Sequence, residues 1–382
     1  MDEKEFYLVN IGRVLFPSEF NKIFCSRNKY LVSGQVGKDF YFEMNGESMY
    51  YMLKGEELAY NYDYSEYKKK IVQAVCQRMA DCNGILLHKS LISDKLDTQF
   101  RATNSAIRIL IHAVLEGDEV KSELESLVNY QYKFFMPFMN GIWFPHDLSE
   151  YNKKCRKRQL KTKAFGKERT NTVTLNTHLD SLNTLLLLHS KISNLNIRVE
   201  FDLEDLINRA IVPLKGLFYH DLNSSFPSII LQKIDFLFYL LSNKRKKLFF
   251  PITKVYDSLL HPLLFKVLFP RLFFNYGFIA RDLAIRHRHA DYLLPNAVDI
   301  ARFLCLYESY HESDPLFVAD LNKQLYKTVL FINKTESFES DYSIAWSQEL
   351  IDLIAVLNIS SDTRLKRGEK ICYNPFCLLF VS

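Results

Sequence analysis

The chain has 382 residues, 48% of them hydrophobic and 24% charged, with only 12 Gly and 11 Pro, a composition that excludes disorder, collagen and a disulfide miniprotein and allows a large buried core. Lys and Arg number 49 and Asp and Glu 44, so a net charge of +5 does not point to a protein that coats nucleic acid. The charge is unevenly placed: between Asn152 and Arg169 nine basic residues accompany one acid, Glu168, so that this segment carries +8 and the remainder −3.

In chain order, the first sixty residues read as short strands over 6–16, 29–33, 39–44 and 48–53, separated by turn signals such as Asn45-Gly46, and predict a small β element over 1–62. From Ser65 the apolar period changes to 3.6 and predicts a helix running up to a stop at Gly84. Further helices are predicted over 103–116, 118–135, 177–192, 202–215 with Gly216 as its stop, and 225–241. Beyond the proline-punctuated stretch 251–270 come helices over 295–311, 314–331 and 341–358 and a terminal strand over 371–381. Residues 63–382 thus form one mainly helical domain.

The greasiest region, 258–280, is interrupted by His261, Lys266, Arg271, Pro262, Pro270 and Gly277, and no membrane span is expected. Seven scattered cysteines without a Cys-x-x-Cys pair predict reduced thiols and a cytoplasmic chain. The start Met1-Asp2-Glu3-Lys4-Glu5 lacks the basic and apolar regions of a secretory signal.

Polar and aromatic clusters interrupt the apolar runs near Arg101, Trp143, Asn176, His220, Arg281 and Tyr342, at gaps of 33 to 61 residues. A pair of helices with its loops occupies roughly 40 residues, so the clusters recur about once per helix pair. In this pairing the chain resembles the (α/α) toroid proteins, which include polysaccharide lyases, glucuronyl epimerases, several glycosidases and lanthionine cyclases. The resemblance implies a ring of helical hairpins over roughly 65–360 with a saccharide site on one rim. The Cys, Cys and His zinc set of the cyclases has no counterpart here, which disfavours that branch.

Four clusters carry the candidate residues. Trp143, His146 and Asp147 place an indole beside an imidazole and a carboxylate, a pattern suited to stacking and hydrogen-bonding a pyranose; alternatively Trp143 is core and His146-Asp147 caps a helix. Asn176, His178 and Asp180 stand at the start of a strongly apolar helix. The period puts Asn176 and Asp180 on one face and His178 away from it, unless the segment is a loop or a cap. Tyr219, His220 and Asp221 could supply an acid, a base and an orienting carboxylate, or serve as a turn.

The densest cluster comprises Tyr276, Arg281, Asp282, Arg286, His287, His289 and Tyr292, with Asn296 and Asp299 beyond it. Its cations suit an anion such as a uronate carboxylate, with His178, His220, His287 and Tyr292 as candidates for moving a proton. The leading expectation is a protein acting on a saccharide or other anionic small molecule, as a lyase, epimerase or hydrolase. A helical binding or scaffold protein without catalysis is the alternative.

No cofactor is expected. The histidines could hold a divalent metal, yet neither His-Glu-x-x-His nor a Cys/His spacing occurs. Arg281-Asp282 followed by four residues and His287 resembles the Arg-polar-x4–6-His pattern of HEPN ribonucleases, a third reading. Dinucleotide, phosphate-loop and α/β-hydrolase motifs are absent from the sequence. The basic loop 152–169 reads as a solvated excursion or as a polyanion contact.

Overall fold

A computed structural model describes residues 63–89, 96–151, 173–219, 293–310 and 313–335, the strand residues 6–8 and 13–15, and the single positions 43, 46, 47, 50, 51, 53, 54, 57, 230, 233, 277 and 279. Seven helices dominate: α1 (Ser65–Ala80), α2 (Phe100–Leu115), α3 (Lys121–Gln131), α4 (Leu175–Leu195), α5 (Leu203–Tyr219), α6 (Leu293–Tyr307) and α7 (Pro315–Thr335). Three antiparallel strand pairs accompany them: β1 (Phe6–Leu8) with β2 (Arg13–Leu15), β3 (His88–Lys89) with β4 (Leu96–Asp97), and β5 (Met136–Phe138) with β6 (Gly141–Trp143). The predicted helices 225–241 and 341–358 and the strands 29–33 and 371–381 lie outside the described stretches.

The helix ends follow from local chemistry. At the start of α2 the Gln99 side chain accepts the amide of Ala102 at 2.6 Å, and at its end Gly117, with φ +96°, lets Asp118 N reach back to the Ala113 carbonyl at 2.9 Å. Pro315 opens α7, and Asp314 Oδ1 accepts the amides of Leu316 and Phe317 there. Asn196, at φ 49°, closes α4.

Two expectations are corrected. Gly216 does not stop α5, which runs through it to Tyr219. The strand expected over 48–53 is helical at Tyr50, Tyr51 and Leu53, as are Glu43, Gly46, Glu47, Lys54 and Glu57. The spacing 43, 47, 50, 54 is a helical stripe, and each member finds a partner: Glu43 on Arg78, Glu47 on Arg108, and Tyr50 and Lys54 on Glu116. These pairings override the strand propensity of the two tyrosines. Tyr50, Tyr51 and Leu53 belong to the same core as α1 and α2.

The helices form two layers. The largest interfaces join α2 to α4 and α4 to α6, making an inner row, and α3, α5 and α7 each pack against the inner helix that precedes them in sequence. Burial agrees: α2 is buried along its whole length except Leu115, whereas α3 and α5 alternate buried and exposed positions. Among the described residues the row does not close into a ring.

The β5–β6 hairpin turns through Met139 and Asn140, both at positive φ as a two-residue hairpin turn requires, and packs its last strand on α5. A Cβ on Gly141 would run into the Arg209 carbonyl, the Pro213 ring and Val212 of α5. Gly117 by contrast has open space around it and only its positive φ to lose. Urea denaturation should therefore show Gly117→Ala losing about 1 kcal/mol or slightly more, the cost of its positive φ, and Gly141→Ala losing about 3 kcal/mol from the clash with α5. Equal losses would show that the hairpin does not press on α5 as described.

Candidate functional site

The inner helices turn polar stripes toward one another. On α2 the stripe is Arg101, Asn104, Ser105 and Arg108; on α4 it is Asn176, Asp180, Asn183 and Thr184; on α6 it is Asn296, Asp299 and Arg302. None of these residues is more than 7% exposed. The spacings of three, four and seven residues collect each set on one helical face.

Arg101 Nη1 donates to the Asn176 carbonyl at 2.9 Å and to Asp299 Oδ2 at 2.7 Å. Asn104 Nδ2 donates to Asp180 Oδ2 at 2.8 Å and to Ser181 Oγ at 3.0 Å, and its oxygen accepts from Gln131 and from the Tyr132 hydroxyl. Arg108 donates to Thr184 Oγ1 at 2.6 Å, pairs with Asp180 Oδ1 at 3.1 Å and grips the Glu47 carboxylate with two nitrogens. Asn183 Nδ2 donates to the Asp299 carbonyl at 3.1 Å, and Arg302 Nη1 lies 3.6 Å from Asp299 Oδ1. Residues 101, 104 and 108 meet 176, 180 and 184 in order, so α2 and α4 run parallel with their first turns at the same end.

Three arginines oppose Glu47, Asp180 and Asp299, so the charges balance. The two aspartates nevertheless differ. Burial pushes the Asp180 carboxyl up, but Arg108 and Arg101 outweigh it and hold the group below the ordinary range. Asp299 goes the other way, raised by burial and by the charge of Asp180 despite Arg101. Desolvation and the neighbouring Asp180 charge act against the ionised form of Asp299, whereas two guanidinium groups favour that of Asp180.

The loop 144–150 lies over the first turns of α2 and α4. Phe100 N donates to the His146 carbonyl at 3.0 Å, Gln99 pairs with Asp147, and Glu150 accepts amides from His146 at 2.8 Å and Val173 at 3.2 Å. His146 Nδ1 stands 3.4 Å from Asp147 Oδ2, and Asp147 Oδ1 accepts the amide and hydroxyl of Ser149. Asp97, which the sequence reading passed over, is pushed up to about 6 by burial and by Asp147.

The structure therefore gathers Arg101, His146, Asp147, Asn176, Asp180 and Asp299 at one end of the inner row. It places Trp143 and His178 differently. Both are fully buried and stack face to face, with ring centroids 3.8 Å apart and planes 8° from parallel. His178 Nδ1 accepts the Phe144 amide at 3.2 Å, which leaves the proton on Nε2 to donate to the Ala210 carbonyl at 3.0 Å. Both ring nitrogens are occupied and burial lowers the group to about 3, so His178 is a neutral tie between β6, α4 and α5 and not a proton carrier. Trp143 is its core partner and not an open sugar platform.

His220, Asp221, Tyr276, Arg281, Asp282, Arg286, His287, His289, Tyr292 and the basic segment 152–169 lie outside the described residues. Among those described, no group of three or more His, Cys, Asp or Glu is placed to hold a metal ion, and no helix is long and apolar enough to cross a membrane. Cys76, Cys82 and Cys305 are free thiols, all raised by burial, the last to about 12. The sequence reading also missed Glu47, Asn104, Arg108 and Arg302. The signal was present in α2, where Arg101, Asn104, Ser105 and Arg108 repeat at helical spacing within Phe100–Leu115, a helix otherwise apolar enough to be buried.

Comparisons with protein families, with characterised proteins and with solved structures found no match for this chain.

His112, like His178, is held down to about 3, by burial and then by Lys54. The folded chain keeps both rings neutral to about pH 3, whereas the unfolded chain protonates them near pH 6.5. Their contribution is complete above pH 6.5 and is lost as pH falls toward 3, on the order of 4 kcal/mol each at the acid end. Glu43 adds to the loss lower down: burial raises it, Arg78 and His88 bring it to about 2, and its contribution fades between pH 4.5 and 2. Stability measured against pH should fall between 6.5 and 3, and a His112→Gln and His178→Gln pair should flatten that slope. A stability independent of pH over this window would contradict the burial of both rings.

Proposed function

We propose that the chain is a saccharide-acting helical protein, with its site where the first turns of α2 and α4 meet the 144–150 loop. The observation that carries this reading is the gathering of Arg101, His146, Asp147, Asn176, Asp180 and Asp299 from four separate parts of the chain. In this reading Arg101 and Asn176 hold ligand oxygens, and His146 with Asp147 stands over the opening. The Asp180 and Asp299 pair supports proton transfer by a lyase, epimerase or hydrolase. The row of inner helices covered by the helices that follow them is the arrangement from which an (α/α) toroid is built, and we propose that the row extends into one.

A non-catalytic helical binding or scaffold protein is the second reading. The balance of three arginines against three carboxylates favours it, because a neutralised buried network can serve to fix helix register alone.

Asn176→Ala separates the two. Arg101 bonds the backbone carbonyl of residue 176, which survives the substitution, so the melting temperature should change little. If the side chain holds a ligand, binding to immobilised glycans should weaken by about tenfold, one hydrogen bond's worth. A wild-type protein that retains no glycan would sink the saccharide reading, and an Asn176→Ala protein with unchanged glycan affinity would remove this end of the row from the site.

A further inference from the structure

The seam between β4 and the 144–150 loop brings two carboxyl groups together, and Ser149 lies between them. The Ser149 amide donates to Asp147 Oδ1 at 3.1 Å and its hydroxyl donates to the same oxygen. The Ser149 amide, with those of Leu148 and Thr98, is also turned toward the Asp97 carboxyl. Two carboxylates that converge on one donor repel each other when both are ionised. Asp147 is only 4% exposed, so water screens that repulsion poorly.

The groups around the seam do not supply a counter-ion to both. His146 Nδ1 stands 3.4 Å from the other oxygen of Asp147, and Glu150 is a further acid whose oxygens accept the His146 and Val173 amides. On β3, His88 is opposite Asp97 in the strand register, yet its ring is bonded to Glu43 at 3.0 Å. Arg101 on α2 is committed to Asp299, and Tyr130 on α3 accepts from the Thr98 hydroxyl at 3.5 Å. Among the described residues no lysine or arginine pairs with Asp97 or Asp147.

We propose that Asp97 and Asp147 form a proton-operated latch: with one proton between them they hold the 144–150 loop onto β4 and over the first turns of α2 and α4, and when both ionise the loop loosens. The loop is tied to that end of the inner row by Phe100 N on the His146 carbonyl and by the Gln99 and Asp147 pairing, so the latch sets how readily the end opens. The device belongs to the fold and does not depend on the saccharide reading.

Its direction follows from linkage. Burial and then Asp147 push Asp97 up to about 6 from an ordinary 3.8, the value it regains once the loop has opened. The closed form therefore holds the proton more tightly. Its contribution is complete below pH 3.8 and is lost as pH rises through 6, opposite in sign to the effect of His112 and His178 on the whole fold. Between pH 5 and 7 those two values raise the opening equilibrium about tenfold.

Hydrogen exchange of the full chain measures this, read by mass spectrometry at pH 5, 6 and 7 and corrected for the intrinsic rate at each pH. Peptides covering 144–151 should open about tenfold more at pH 7 than at pH 5, while peptides within 182–188 of α4 should not. Asp97→Asn keeps an acceptor for the amides and removes the charge, so it should hold the loop at its pH 5 level throughout, and Asp147→Asn should flatten the step as well. His146→Gln should leave the step in place. A wild-type loop whose corrected exchange does not rise between pH 5 and 7, or rises only together with 182–188, would overturn the latch even if no variant folds. So would a step that survives Asp97→Asn or disappears in His146→Gln.

Discussion

Six charged side chains buried between three helices constrain everything around them. Removing each ion from water costs several kcal/mol, and only close pairing with further hydrogen bonds recovers it. Glu47, Arg108 and Asp180 form one linked set and Arg101, Asp299 and Arg302 another. The first set holds α2 and α4 parallel in one register, with Arg108 bonded to both Asp180 and Thr184, and the second ties α2 to α6 through Arg101 and Asp299. The apolar remainder of the helices is tolerant of small slips. The ions are not, and they therefore fix the row.

The same requirement recruits the chain before α1. Glu47 closes the valence of Arg108, and residues three, four and seven positions away repeat the pattern outward, Glu43 to Arg78 and Tyr50 to Glu116. Lys68 joins the set from α1, bonding Glu57 at 2.6 Å and Glu116 at 2.7 Å. A stretch rich in tyrosine is held helical by its acids. The outer end of the row is secured by a neutral device instead: the Trp143 and His178 stack joins the hairpin to α4, and the two ring nitrogens of His178 reach the backbone of Phe144 and Ala210.

The helical part of this architecture was legible in the sequence because it rests on period and on end signals. The helices over 65–80, 175–195, 293–307 and 315–335 stand near the bounds their apolar spacing and caps predict. The hairpin at 136–143 was not legible, since Met139 and Asn140 are not a standard turn pair and Pro137 argues against a strand interior. The site was half legible. Arg101, Asn176 and Asp180 were singled out as polar interruptions of apolar runs, and that is how a buried network looks in one dimension. What one dimension cannot show is pairing: Arg108 reads as an ordinary helix surface residue until Glu47 and Asp180 are placed around it. His178 misled for the opposite reason. A histidine beside an aspartate suggests proton transfer, but the period points the two to different faces, and the face of His178 is the core.

Charge balance limits what this centre can do. Arg101, Arg108 and Arg302 each face a carboxylate inside the fold, so the three cations are committed to Glu47, Asp180 and Asp299. Removing one partner would leave a buried charge without its counter-ion, which costs more than the pair itself contributes, so the network cannot be loosened one residue at a time. Asn183 adds a neutral tie between the same helices by donating to the Asp299 carbonyl, and the inner row is therefore held both by charge and by amide hydrogen bonds.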